Sequence, residues 1–358
     1  MLRWIAEEGL GLSVCSAGQL AAAAAVGFPA ERIVLHGDAK TPTDLERALA
    51  YGVGTTVIES PSEVARLAAL CPRRQKVLLR VLPGPGADPA AALPPGPDAD
   101  RFGLPADSLA GMLRRIADQP ALDLAGLDFY LGSQVARFGG YERAIDQLVA
   151  VAARSGLPLR EINLGGGHAV PGTEAEAEFA LQAFAARVRT MLQISSQRYG
   201  VPVPRLVVTP GRAIVARAGV ALYRVLAVRR DPDGHQLVAV DGGLSDNPRP
   251  AMYGARYTAA LVGRVSRDST RPTTVVGRHD EASDVIVRDA GLPGDLRPGD
   301  LLAVPGSGAY HLPLASNYNL VPRPPLVAVH EGQSKLLVRR ETIDDILLRD
   351  LDPISARD

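Results

Sequence analysis

At 358 residues, with 46% apolar and 22% charged side chains, the chain has the material for two folded domains or for one barrel with an appendage. Its 39 basic and 39 acidic residues cancel, which removes the pull toward nucleic acid or an anionic membrane that a strongly charged surface would give. No apolar run approaches the roughly 18 residues of a membrane span, the opening MLRWIAEEGLGL has no signal-peptide layout, and Cys15 and Cys71 supply neither a disulfide framework nor a metal spacing; a cytoplasmic protein is expected.

In chain order, Leu2–Glu8 reads as a helix. Short apolar runs follow at Leu12–Ser16, Ile33–His36, Thr56–Glu59, Val77–Leu82, Gly126–Leu131, Ile162–Leu164 and Leu206–Thr209. Between them lie amphipathic stretches such as Thr43–Tyr51, Ser62–Leu70, Gly140–Arg154 and Thr173–Arg198. Alternating strand and helix predicts a parallel sheet covered by helices. Seven such units are one short of a (β/α)8 barrel, and the strand that should precede Leu2–Glu8 is absent from the sequence. A barrel lacking a strand leaves two rows of unpaired backbone groups, so either the sequence is N-terminally shortened or something else fills the slot. Pro83–Asp100, rich in proline, glycine and alanine, reads as a flexible surface insertion.

After Arg217 the texture changes. Val220–Arg229, Gln236–Asp241, Tyr257–Val265, Thr273–Val276, Val285–Arg288, Leu301–Pro305, Pro325–His330 and Ser334–Arg340 are β-like and separated by Gly/Pro turns, with no helical pattern before Ile343–Leu351. The expected fold class is therefore α/β: a (β/α)8-type barrel with its first strand missing over residues 1–217, then a mainly antiparallel β domain over 218–358.

Two motifs stand where barrel enzymes place their chemistry, at the C-terminal ends of strands. Gly165-Gly166-Gly167 follows a strand and precedes a helical stretch, so its backbone N–H groups can approach a phosphate; three glycines are equally a plain tight turn. Thr209-Pro210-Gly211-Arg212 ends the last barrel strand, and Arg212 can hold a carboxylate bidentately or simply lie in solvent.

The context that separates these readings lies in Ile33–Lys40 (IVLHGDAK), Arg101-Phe102-Gly103, Gly132-Ser133-Gln134, Val240–Gly254 (VDGGLSDNPRPAMYG), Val276–Asp284 (VGRHDEASD), Gly308-Ala309-Tyr310 and Ser316–Asn319 (SNYN). In this order, and over nearly the whole chain, they resemble the diaminopimelate decarboxylases of the pyridoxal-phosphate (PLP) barrel family. The resemblance implies a homodimer with sites shared between subunits, PLP as cofactor, and decarboxylation of meso-diaminopimelate to L-lysine in lysine biosynthesis. It also implies that Gly165, Gly166, Gly167 and Ser133 cradle the phosphate, that Thr209, Pro210, Gly211, Arg212 and Tyr310 contact the cofactor, and that Arg212, Arg249, Tyr253, Glu281 and Tyr310 hold the two amino-acid ends of the substrate. Arginines for carboxylates and a glutamate for an ammonium group are a chemically sensible set.

The residues that run the chemistry depart from the family pattern. The family lysine that carries PLP covalently would lie a few residues before the position of Leu2, and the chain's three lysines, Lys40, Lys76 and Lys335, do not match it. Ser13 stands where the family has an aspartate near that lysine, Tyr130 where a histidine stacks on the PLP ring, and Thr209 where a glutamate pairs with the pyridine nitrogen. Asp280 replaces the cysteine proton donor. Tyr130 retains a ring that can stack, and Asp280 can donate a proton if burial favours its protonated form, whereas Thr209 cannot balance a pyridinium charge. The expectation is a PLP-dependent decarboxylase of this family whose true start lies upstream, with an inactive or repurposed paralogue as the alternative. A third reading makes His168, His279, His311, Tyr130 and Asp280 a metal pocket, although no ligand spacing supports it.

Overall fold

The structure, a computed structural model, describes residues 1–82, 102–105, 108–156, 159–173, 176 and 178–350. The insertion Pro83–Asp100, Arg101, parts of the stretch Thr173–Arg198 and the end of Ile343–Leu351 lie partly or wholly outside the described residues. Contacts divide the chain into two compact units, residues 1–169 with 179–210, and residues 170–178 with 211–358.

The first unit contains seven parallel strands, β1 (Leu12–Val14), β2 (Ile33–Leu35), β3 (Thr55–Ile58), β4 (Gln75–Val81), β5 (Leu122–Phe129), β6 (Glu161–Asn163) and β7 (Arg205–Val207). Each pairs with its neighbours in sequence, in the order β1 to β7. Sequential parallel pairing with intervening helices is the arrangement of a (β/α) barrel. The helices are α1 (Leu2–Glu7), α2 (Ala17–Ala24), α3 (Pro42–Tyr51), α4 (Pro61–Leu70), α5 (Leu109–Ala117), α6 (Gly139–Ser155) and α7 (Leu181–Tyr199). Local chemistry sets several of their ends. Thr41 and Asp44 form a capping box at α3, Ser60 caps α4, and α3, α6 and α7 stop at Gly52, Gly156 and Gly200 in the left-handed region. Among the described residues of the stretch from Thr173 to Arg198 the helix begins at Leu181, and α2 and α5 were not singled out by the sequence pattern.

The strand period of two separates the faces of this sheet. Ile33, Leu35, Ile58, Val77, Leu79, Leu127, Phe129, Ile162 and Leu164 join the helices in the main core. Val34, Val57, Leu78 and Ala125 form a separate small cluster on the other face. Alternation then puts His36, Glu59 and Arg80 on that second face, one step beyond the apolar cluster toward the C-terminal strand ends. It also puts Asp128 and Asn163 opposite the core-facing Leu127, Phe129, Ile162 and Leu164, a register shift at Ala125 letting that residue share the face of Asp128. Register agrees: Arg80 pairs with Asp128, and Asp128 with Asn163.

The second unit carries β8 (Val220–Arg230), β9 (Gln236–Val240), β10 (Ala260–Val262), β11 (Thr270–Val276), β12 (Val285–Pro293) and β13 (Leu301–Pro305) in one sheet, ordered β10-β13-β8-β9-β11-β12. Its pairs are antiparallel except β9 with β11. A separate hairpin joins β14 (Leu326–His330) to β15 (Gln333–Val338). The short helix α8 (Gly211–Val215) precedes β8, and α9 (Arg249–Tyr253) lies before α10 (Ile343–Leu347), so α9 corrects the expectation of an uninterrupted β texture after Arg217. Pro250 at the start of α9 and Gly254 (φ 62°) at its end bound that single turn, too short for a periodic signal. No helix among the described residues is long and apolar enough to cross a membrane.

Candidate functional site

In the first unit, the turn after β6 is built by close backbone approach. A Cβ on Gly166 would lie 2.2 Å from the Thr209 carbonyl oxygen, and one on Gly167, at φ +83°, would lie 2.0 Å from that of Gly132. Both are distances real Cβ atoms do not reach, so the glycines are demanded by the fold. Thr209 N–H donates to Gly165 O at 2.9 Å and Val135 N–H to Gly167 O at 2.8 Å, which gathers Ser133, Gly165, Gly166, Gly167 and Thr209 at one strand-end position. Gly165 N–H is taken by Asn163 Oδ1 at 2.9 Å. Among the described residues the N–H groups of Gly166 and Gly167 donate to no acceptor, leaving two adjacent donors for an anion. Tyr141 supports the turn from below, donating its hydroxyl to Gly166 O at 3.0 Å and stacking on the buried His168.

Beside this turn lies the polar layer of the strand ends. Arg80 donates to Glu59 at 3.1 Å and stands 3.2 Å from Asp128, without the alignment of a hydrogen bond in the second case. Its guanidinium covers the ring of Tyr130 at 5.4 Å, and Tyr130 meets Phe102 edge-on. Burial, opposed by Arg80, pushes the Asp128 carboxyl up to about 7, and burial with Arg80 nearby pulls His36 down to about 3. Lys40 is fully engaged: its ammonium is 2.6 Å from each of Glu63 Oε1, Gly37 O and Val57 O. Lys76 pairs with Glu161 at 2.8 Å, at the other end of β4 and β6, and Lys335 sits in the β14–β15 hairpin.

In the second unit, three loops interlock. Asp284 accepts from the N–H groups of Leu244 and His279 at 2.6 and 2.8 Å, and Asp246 accepts from Gly243 N–H and the Tyr223 hydroxyl. Ser316 N–H donates to Ser245 O at 2.7 Å. These bonds bring the segments around Asp241–Gly254, Gly277–Asp284 and Tyr310–Tyr318 together. Arg249 is buried and donates to the Tyr257 hydroxyl, while Tyr253, Glu281 and Tyr310 are exposed. The Arg212 guanidinium lies 4.6 Å from the Tyr310 ring centroid, and Glu281 accepts from the Tyr318 hydroxyl.

Several expectations change here. Asp280 is exposed, so its own chain does not supply the burial on which its use as an acid depends. The metal pocket is not assembled. His279 Nε2 is bonded to Ser245, His311 Nε2 to Tyr257, His168 is enclosed by Tyr141, Phe179 and Phe184, and no group of three metal-ligating side chains occurs among the described residues. Pro210 closes the first unit, and Gly211 and Arg212 open α8 in the second, rather than all four residues ending one strand. Asp128, Arg80, Tyr257 and Tyr318 were missed. A charge inside VLLRV and another inside GLDFY were the available signal, because a charge at a strand's inward position has to be paired.

Residues 1–216 match the family described as pyridoxal-dependent decarboxylase, pyridoxal binding domain. A diaminopimelate decarboxylase of Actinosynnema pretiosum subsp. auranticum is 52% identical over 352 residues, 98% of this chain and 80% of that protein. The diaminopimelate decarboxylase of Mycobacterium tuberculosis is 40% identical over 363 residues, covering 96% and 81%. Among solved structures, diaminopimelate decarboxylase from M. jannaschii in co-complex with L-lysine superposes with a TM-score of 0.89 at 26% identity, covering 99% of this chain and 82% of that one. The enzyme from Helicobacter pylori complexed with L-lysine gives 0.87 at 26%, covering 97% and 86%.

Proposed function

The chain belongs to the diaminopimelate decarboxylase family of pyridoxal-dependent decarboxylases, and we propose that it converts meso-diaminopimelate to L-lysine with release of carbon dioxide. The observation that carries this reading is 52% identity sustained over 98% of the chain. The relatives named above give no support to the inactive-paralogue alternative.

Pyridoxal phosphate, the cofactor of the family, supplies an electron sink for the carbanion left when the carboxylate departs. The phosphate end of that group fits this chain, since the N–H groups of Gly166 and Gly167 stand unclaimed beside Ser133 and Thr209. The covalent end has no partner in this sequence, because Lys40 and Lys76 are held in ion pairs and Lys335 lies in a hairpin of the other unit. In the proposed division of labour, Gly165, Gly166, Gly167 and Ser133 hold the phosphate and the turn from Thr209 through Pro210 and Gly211 borders it. Arg212 and Arg249 receive carboxylates, Glu281 an ammonium group, and Tyr253 and Tyr310 flank the substrate. Asp280 takes the proton-donor position.

Asp280, Glu281 and Tyr310 are exposed in this chain. We assign them to a site completed across a homodimer, in which a second copy covers them and supplies the burial that Asp280 lacks. Sedimentation should give twice the chain mass, and a stable monomer would remove that part of the proposal. A barrel of residues 1–217, a β domain of 218–358 and a cytoplasmic location complete the reading, with the substrate held by Arg212 from the first and by Arg249, Tyr253, Glu281 and Tyr310 from the second. Expression in a bacterium deprived of its own diaminopimelate decarboxylase tests the function directly. Growth without added lysine supports it, and persistent lysine dependence with the protein present at normal levels opposes it.

A further inference from the structure

Arg249 is 6% exposed and makes no ion pair among the described residues. A buried guanidinium without a counter-charge is costly, and it marks a place where an anion is to arrive. Arg249 donates to the hydroxyl of Tyr257, itself buried, and that hydroxyl lies 3.1 Å from Nε2 of buried His311. The two rings meet edge-on, 5.4 Å apart at 88°.

The donor inventory fixes the direction of this chain. A guanidinium only donates, so the Tyr257 oxygen accepts from Arg249. Among the described residues, the hydroxyl's own hydrogen then has one acceptor within reach, His311 Nε2. Nε2 must therefore be unprotonated, and the neutral ring carries its proton on Nδ1, which has no partner among the described residues. The opposite tautomer would leave two buried groups unpaired, the Tyr257 O–H and the Nδ1 lone pair, instead of one. Burial and the positive charge of Arg249 lower His311 to about 4, so the ring stays neutral. Among the described residues, Arg212 and Glu176 also act on Tyr257.

We propose that Tyr257 and His311 are positioning residues, a neutral relay that fixes the Arg249 guanidinium for a substrate carboxylate without supplying a competing anion. The proposal rests on the reading of Arg249 as a carboxylate-holding residue. A protein carboxylate at the same place would orient the arginine equally well but would neutralise it. The Tyr–His pair orients it and leaves its charge for the ligand.

The test has two arms on the full chain. In the first, nitrogen NMR of labelled histidine and arginine reads the His311 tautomer and the exchange of the Arg249 side-chain N–H groups with no ligand present. The expected result is an Nδ1–H tautomer at neutral pH, with Arg249 exchange slowed in wild type and released in Tyr257→Phe. In the second, calorimetry compares L-lysine with cadaverine, which has the same chain and no carboxylate. Tyr257→Phe and His311→Phe should each weaken L-lysine binding about tenfold, one hydrogen bond's worth, and leave cadaverine unchanged. His311→Gln, whose amide oxygen can accept the hydroxyl hydrogen, should stay within about threefold of wild type. A purely structural role would lower melting temperature and both affinities together, without rescue by glutamine, and that outcome overturns the proposal. So does an Nε2–H tautomer or an imidazolium at neutral pH. Should wild type bind neither ligand, the decarboxylase reading fails while the spectroscopic arm still decides the relay.

Discussion

Replacing Asp128 by asparagine probes the charge balance of the strand-end layer. Arg80 and Lys40 face three carboxylates, Glu59, Glu63 and Asp128, so full ionisation leaves one negative charge in excess. Asp128 is buried, accepts no aligned hydrogen bond, and is pushed from 3.8 up to about 7, chiefly by burial, with Arg80 opposing and Glu59 adding to the rise. A folded-state value above the unfolded one means that the protonated form is favoured by folding. The associated stability is complete below the unfolded value of 3.8 and is lost as pH rises through about 7. Roughly three pH units at about 1.4 kcal/mol each give on the order of 4 kcal/mol lost between these limits. Asparagine has no such proton, so Asp128→Asn should gain on wild type by up to that amount between about pH 4 and about pH 8. For a unit of this size, at about 2–4 °C per kcal/mol, the two melting curves should separate by roughly 8–16 °C more at the alkaline end. Paired thermal denaturation across the range measures it. A gap between variant and wild type that is constant with pH would mean that Asp128 is ionised throughout, and the reasoning from burial would be wrong.

Further consequences follow from the same contacts. Gly167→Ala puts a Cβ against Gly132 O in a left-handed backbone, which should cost about 2–4 kcal/mol in thermal denaturation and weaken PLP retention on dialysis at least tenfold. Borohydride reduction of the PLP-loaded chain should leave Lys40 unlabelled in peptide mass spectrometry, since its ammonium already has three partners at 2.6 Å; a labelled Lys40 would contradict the geometry. Arg249→Lys keeps the charge but loses the planar fork, so L-lysine affinity by calorimetry should drop about tenfold. Thr209→Glu supplies a carboxylate that can balance a pyridinium charge, which Thr209 cannot, so carbon dioxide release with added PLP should rise by about tenfold or more; no change would remove Thr209 from the cofactor's surroundings.

The fold was largely legible because its signals are local and periodic. Strands such as β4 carry short apolar runs such as Val77-Leu78-Leu79, and helices such as α3 announce their start with Thr41, Pro42 and Asp44. The α2 helix escaped because five of the eight residues of Ala17–Ala24 are alanine, with Gln19 alone giving polar contrast to mark its face, and α9 because five residues carry no period. The glycine turn was recognisable as a motif, yet why it must be glycine depends on Thr209 and Gly132, which only the folded strands bring near. The Arg249–Tyr257–His311 chain was not legible at all. Its members are separated by 8 and 54 positions along the sequence and are joined only by the packing of loops in the second unit. Asp280 shows the converse: its position was readable from a resemblance, but its exposure was not.

PLP-dependent decarboxylation by this chain is open to direct measurement. Purified protein should be incubated with PLP and meso-diaminopimelate labelled in its carboxyl groups, with released carbon dioxide and L-lysine counted together. Equal amounts of both, above the level given by PLP alone and lost in Arg249→Ala, are predicted. Carbon dioxide release no faster than with free PLP, or release that does not yield L-lysine, would contradict the account.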